Sequence, residues 1–290
     1  MSKLGLGTVQ WGMDYGVSNQ GGRTQVEMVS AILCEAPGRG VDVLDTAALY
    51  GDAESVLGRN ALARFRVITK TPRFAASTIT QGHALELDAV FHRSLERLSS
   101  PAVYGLLAHH ADDLLAPGGE KLWQAMSLLK DQGLVEKIGA SIYDGDQVDA
   151  LLERFRPDIV QAPLSVLDQR MLLNGQLERL HVRGVEVHTR SAFLQGLLLL
   201  PPDRIPVYFD PIAPLLKRWH AAVKEQGITP TQAALAFVRD VPYVDTVLIG
   251  VESVAQFRGC VLAFESAARF DAAELACNDP MFVNPVNWKH

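Results

Sequence analysis

The chain has 290 residues, 48% hydrophobic and 21% charged, which is enough to bury a sizeable core in an ordinary globular composition. A net charge of -6 leaves no basic footprint, arguing against nucleic acid or an anionic membrane as partner. The 3 cysteines, Cys34, Cys260 and Cys277, show no CxxC spacing, so neither a disulfide framework nor a metal site is expected. The opening segment MSKLGLGTVQWG lacks an apolar stretch of signal-peptide length, and LQGLLLLPP is too short to span a bilayer, so a cytoplasmic location is expected.

The first short β-rich run is LGLG at 4–7, followed by a loop in which Trp11 and Tyr15 suit either core or a pocket wall. VDVLD at 41–45 ends on Asp45, with Tyr50 five positions on, and RVITK at 66–70 closes on Lys70. Leu87, Phe91, Leu95 and Leu98 recur at helical spacing before VYGLLAH at 103–109, which ends on His109. Leu122, Met126 and Leu129 mark another helix, ending at Gly133. The later runs are KIGAS at 137–141, DIVQA at 158–162, VEVHTR at 185–190 and TVLIG at 246–250. Between the last two, the proline-rich stretch from Phe193 to Pro214 reads as a long loop over a mouth. Thr229-Pro230-Thr231-Gln232 and Ser253-Val254-Ala255-Gln256 both carry helix-start capping patterns.

Strand followed by helix, repeated without a linker or composition shift, predicts a parallel sheet. Eight such units fit an α/β fold of the (β/α)8 barrel type, a single domain over 1–290, better than a doubly wound sheet, because no GxGxxG follows any strand. Side chains at the C-terminal strand ends of such a barrel converge on one mouth. Asp45, Tyr50, Lys70 and His109 are therefore expected to meet there. A Lys beside a Tyr stabilises phenolate, so Lys70, held by Asp45, is expected to ease proton loss from Tyr50. Taken singly, each has a bland explanation as a helix cap, a surface aromatic, a solvated strand end or a core histidine.

Together these residues resemble the aldo-keto reductase family, and the resemblance covers essentially the whole chain. Asp45-Thr46-Ala47 with Tyr50-Gly51 is similar to that family's acid and tyrosine motif, Lys70 to its lysine, and His109-His110-Ala111-Asp112 to its histidine segment. The resemblance implies a barrel enzyme reducing a carbonyl with hydride from a nicotinamide cofactor, with Asp45, Tyr50, Lys70 and His109 catalytic. GASIY and VQAPLSVLDQR imply that Ser141 and Gln161 hold the carboxamide, although Ile142 replaces the family's usual Asn. Arg190-Ser191 stands where most members have Tyr-Ser, so Arg190 is expected to stack on the nicotinamide. LIGVESVAQ implies Gly250, Ser253 and Gln256 around the adenosine phosphates, and Thr8 completes the cofactor set.

Glu252 occupies a position often basic in NADPH users, and its carboxylate opposes a 2′-phosphate. Arg258 is expected to supply the missing cation by folding back, which keeps NADPH narrowly ahead of NADH. Trp11, Tyr15, Tyr50 and His109 form the expected substrate wall. GTVQWGMDYGVSNQGG resembles a bacterial branch associated with sugar-derived carbonyls, giving a small-molecule carbonyl substrate. The family also implies a monomer; the chain starts in its first strand, so the hairpin that plugs the barrel bottom in many members is expected to be absent. Two other readings remain at this stage: a barrel lyase forming a Schiff base on Lys70, and a non-catalytic nucleotide-binding subunit.

Overall fold

Eight short runs pair in sequence order into a closed parallel barrel in the computed structural model, which describes residues 3–17, 19 and 21–288. They are β1 (Lys3–Gly7), β2 (Val43–Asp45), β3 (Arg66–Lys70), β4 (Val103–Ala108), β5 (Val135–Ser141), β6 (Ile159–Pro163), β7 (Glu186–Arg190) and β8 (Thr246–Gly250). Gly7 is the register partner of both Asp45 and Gly250, so the end of β1 lies between the ends of β2 and β8. This is the single-domain (β/α)8 barrel expected from the sequence.

Around the barrel run α1 (Val26–Glu35), α2 (Ala53–Leu57), α3 (Gln81–Leu98), α4 (Glu120–Asp131), α5 (Gly145–Arg154), α6 (Gln176–Val182), α7 (Ala213–Glu225), α8 (Pro230–Arg239) and α9 (Val254–Glu265). Leu87, Phe91, Leu95 and Leu98 of α3 and Leu122, Met126 and Leu129 of α4 are buried, as their spacing requires. Burying each is worth about 1.5–3 kcal/mol. Thr229 caps α8 in a reciprocal box with Gln232. At α9 the Ser253 hydroxyl accepts from the Gln256 amide, whereas the Gln256 side chain takes the N–H of Glu252, one residue earlier than a standard box. No helix among the described residues is long and apolar enough to cross a membrane.

The stretch from Phe193 to Pro214 is less irregular than its prolines suggest. It forms short 3-10 turns at Leu194–Leu199, Pro202–Arg204 and Val207–Ile212. Trp219 of α7 pins them by donating from its indole to the Leu198 carbonyl at 3.1 Å. The last described segment packs on the same turns, with the Trp288 ring edge-on to Phe209 and the Tyr208 hydroxyl donating to the Met281 carbonyl.

Side chains two apart on a strand share a face, which stacks the barrel interior in tiers. Val43, Ile68, Leu107, Ile159 and Leu248 form an apolar middle. Below it, at the strand starts, the Glu186 carboxylate accepts from the Tyr104 hydroxyl at 2.6 Å and from the Lys137 ammonium, and lies against His188 Nε2. Burial alone would raise the Glu186 pKa, but hydrogen bonds from His188, Lys137 and Tyr104 outweigh it and hold the carboxyl below its usual range. A depressed carboxylate contributes stability above its unfolded pKa of about 4.3 and loses it as pH falls towards the folded value. Glu186→Gln is therefore expected to lower unfolding free energy at pH 7 by about 2–3 kcal/mol, because it strands partly buried cations. Denaturant unfolding checks this, and the difference from wild type should shrink below pH of about 4. A variant as stable as wild type at pH 7 would show that the network adds nothing.

Candidate active site

At the opposite end of the barrel the same alternation brings the strand-end residues together. Lys70, closing β3, is fully buried, and its ammonium donates to both Asp45 carboxylate oxygens at 2.8 and 2.7 Å, to the Thr46 carbonyl at 3.0 Å and to the Tyr50 hydroxyl at 3.4 Å. Asp45 Oδ1 also accepts from Gln161 Nε2 of β6 at 2.7 Å. Tyr50 sits on the turn between β2 and α2, with its amide donating to the Ala47 carbonyl. Glu54 of α2, 1% exposed, fastens that turn from behind. It accepts from Thr69 of β3 at 2.6 Å and from Arg97 of α3 at 2.8 Å.

Charge in this tier differs from the sequence-based expectation in one respect. Burial lowers the Lys70 pKa, with Asp45 opposing the shift. Burial, reinforced by the Asp45 charge, raises the Tyr50 pKa well above its ordinary value. The Lys70 charge is spent on Asp45, so the phenol holds its proton more tightly than free tyrosine. His109, just past β4, meets the Tyr50 ring edge-on with centroids 5.6 Å apart. Burial, followed by the Lys70 charge, pushes its pKa down to about 2, so its ring is neutral.

Tyr50 and His109 form the floor of an elongated cavity of about 960 Å³. Its wall includes Thr8, Tyr15, Ser141, Gln161, Arg190 and Ser191, and it runs outward past Gly250 and Gln256 between α8 and α9. The residues present fit a nicotinamide dinucleotide. Thr8 Oγ1 is buried without a partner. The Gln161 side chain has spent a donor on Asp45 and keeps its carbonyl for an amide.

Not every expected site residue reaches this cavity. Trp11 is fully buried, and its indole donates to the Val251 carbonyl at 3.0 Å, so it is core rather than substrate wall. Ser253 caps α9 and does not line the cavity. Glu252 turns inward to accept from Gln10 at 2.7 Å. Arg258, expected to fold back, instead forms a two-point pair with Glu35 of α1, one bond at 2.9 Å. Arg190 lies over the Tyr143 ring at 4.5 Å, and Tyr143 stacks on His110, which stacks on His109. His109 lines the cavity and His110 does not.

Sequence reasoning passed over Gln10, Tyr143, Gln195 and Glu54. For Tyr143 the signal was an aromatic directly after the β5 end; for Glu54 it was an acid one helical turn beyond Tyr50. Gln10 and Gln195 gave none, because their partners lie on other loops: Gln10 donates to Glu252 after β8 and Gln195 to Tyr15 after β1. Gln195 Nε2 donates to the Tyr15 hydroxyl at 3.1 Å, and the Val17 amide to the Gln195 carbonyl at 3.0 Å.

Known proteins resemble this chain along most of its length. The NADH-specific methylglyoxal reductase of Escherichia coli strain K12 is 25% identical over 301 residues, covering 91% of this chain and 90% of that protein. Among solved structures, an aldo-keto reductase from Bacillus halodurans in its holo form superposes with a TM-score of 0.72 at 22% identity, covering 94% of this chain and 89% of that one. A putative aldo-keto reductase from Pseudomonas aeruginosa gives 0.66 at 20% identity, covering 91% and 89%. The model of the Aldo/keto reductase family matches residues 3–277. With barrel, strand-end cluster and match all in register, the chain belongs to the aldo/keto reductase family.

Proposed function

We propose that this protein reduces a small polar aldehyde or ketone to an alcohol at the expense of NADH, with Tyr50 as proton donor. The observation that carries the reading is the Asp45–Lys70–Tyr50–His109 cluster at the floor of a dinucleotide-sized cavity. When bound, a reduced nicotinamide supplies the hydride. Ser141 and Gln161 orient its carboxamide, while Gly250 and Gln256 border the outer part of the cavity. Tyr50 donates its proton to the carbonyl oxygen as negative charge develops there, and neutral His109 donates a second hydrogen bond to the same oxygen. Lys70 stays an ammonium next to Tyr50 and stabilises the phenolate left behind.

NADH rather than NADPH follows from the two charged side chains near α9. Glu252 lies just before the start of α9, and Arg258 is drawn to Glu35. The relative named as NADH-specific supports the same choice. Titration of tryptophan fluorescence should show tighter binding of NADH than of NADPH. Tighter NADPH binding would mean that Arg258 leaves Glu35 and outweighs Glu252. The substrate class includes the 2-oxoaldehyde named for that relative and the sugar-derived carbonyls expected from the sequence. A Schiff base on Lys70 has no support, because its ammonium is wholly enclosed by Asp45, Thr46 and Tyr50.

The pH dependence follows from the same groups. Activity needs Tyr50 protonated and His109 neutral. The raised Tyr50 pKa removes any alkaline limb below its ordinary value of about 10, and a His109 pKa of about 2 removes an acid limb near neutrality. The reduction rate at saturating substrate should thus be flat from about pH 5 to 9. A limb near pH of about 6.5 would show that His109 titrates as an ordinary histidine.

A further inference from the structure

We propose that the carbonyl substrate carries a carboxylate, and that Arg190 and Tyr15 receive it. The inference rests on the reductase reading above and narrows its substrate class. The charges at the cavity floor do not balance. Lys70 is neutralised by Asp45, while Tyr50 and His109 are uncharged. Arg190 is left over. Its contacts are the Tyr143 ring at 4.5 Å, the Ile142 carbonyl, 2.9 Å from Nη2, and the Ser191 hydroxyl, 3.5 Å from Nη1. None is an anion. A half-buried guanidinium without a counter-charge costs free energy that an incoming anion recovers.

The position of that cation matters as much as its charge. Arg190 lines the same cavity as Tyr50, His109 and Tyr15, and its field reaches all three. The Tyr15 hydroxyl accepts from Gln195 and so keeps its own hydrogen for a second acceptor. Arg190 and Tyr15 thus offer donors to one ligand group, whereas the Asp45 carboxylate that a polyol would also use is consumed by Lys70 and Gln161. A planar guanidinium with free N–H groups matches a carboxylate in two-point geometry. Stacking of Arg190 on the nicotinamide is the rival role, and one face of the guanidinium is already covered by Tyr143.

The test compares a matched pair of probes, 4-oxobutanoate and its methyl ester, each reduced by wild type and Arg190→Gln with NADH, with methylglyoxal as a third substrate. The ratio of kcat/KM for acid over ester cancels any effect of the substitution on cofactor binding. Wild type should favour the acid, and the ratio should fall about 10- to 100-fold in Arg190→Gln, mainly through KM, with partial recovery in Arg190→Lys. An unchanged ratio accompanied by a raised KM for NADH would assign Arg190 to the cofactor and overturn the proposal. Reduction of methylglyoxal with refusal of the acid overturns it too, leaving the reductase reading intact. Failure of all three carbonyls to oxidise either NADH or NADPH removes the reductase reading itself.

Discussion

Replacing Tyr50 with Phe is expected to lower kcat for carbonyl reduction by about 10²- to 10⁴-fold, with NADH binding close to that of wild type. In the proposed reaction the phenol is the proton donor, and Phe keeps its ring against His109 while removing the transferable hydrogen. Because burial and Asp45 hold that proton firmly, ground-state ionisation contributes little. In that proposal transfer occurs as the substrate oxygen gains charge, with Lys70, 3.4 Å from the hydroxyl, stabilising the phenolate that forms. NADH oxidation under steady-state conditions, alongside a fluorescence titration, checks both halves of this expectation. Turnover within a few-fold of wild type would remove Tyr50 from the chemistry.

The second large effect comes from a residue without a side chain. A Cβ built on Gly12 would lie 1.8 Å from the Tyr50 carbonyl oxygen and 2.4 Å from the Ala53 nitrogen. The loop after β1 therefore packs backbone to backbone on the turn that presents Tyr50, and only glycine fits. Gly12→Ala must push that turn away, at a cost of about 3 kcal/mol or more, since the opposing atoms are backbone and cannot rotate aside. A shift of about 1 Å in Tyr50 is enough to lose on the order of 10²-fold in turnover. Thermal unfolding and NADH oxidation should both fall in Gly12→Ala, while Gly38→Ala, which faces open space, should change neither. Equal behaviour of the two variants would contradict the packing described.

The barrel was legible because its signals are local. Each strand is a short β-rich run, and each extends or stops within two residues of the run read from the sequence, β5 starting at Val135 rather than at Lys137. The convergence of Asp45, Lys70 and Gln161 follows from strand ends alone. What escaped was decided across the chain. Trp11 could be wall or core until its indole met Val251, 240 positions away. Arg258 looked available until Glu35, 223 positions away, claimed it. The direction of the Tyr50 shift was misjudged for a related reason: adjacency to Lys70 was visible, but the burial that outweighs it is a property of the closed barrel. The loops that carry Tyr15 and Gln195 meet over the mouth, and neither sequence contains the other's partner.

The most direct measurement is the fate of the hydride itself. Wild-type protein would be incubated with NADH carrying two deuterons at C4 and with methylglyoxal, and the alcohol product examined by mass spectrometry. One deuteron on the new carbinol carbon, at a rate that Tyr50→Phe abolishes, is the expected result. An alcohol without deuterium, or no consumption of either NADH or NADPH with any small carbonyl, would contradict carbonyl reduction at this site.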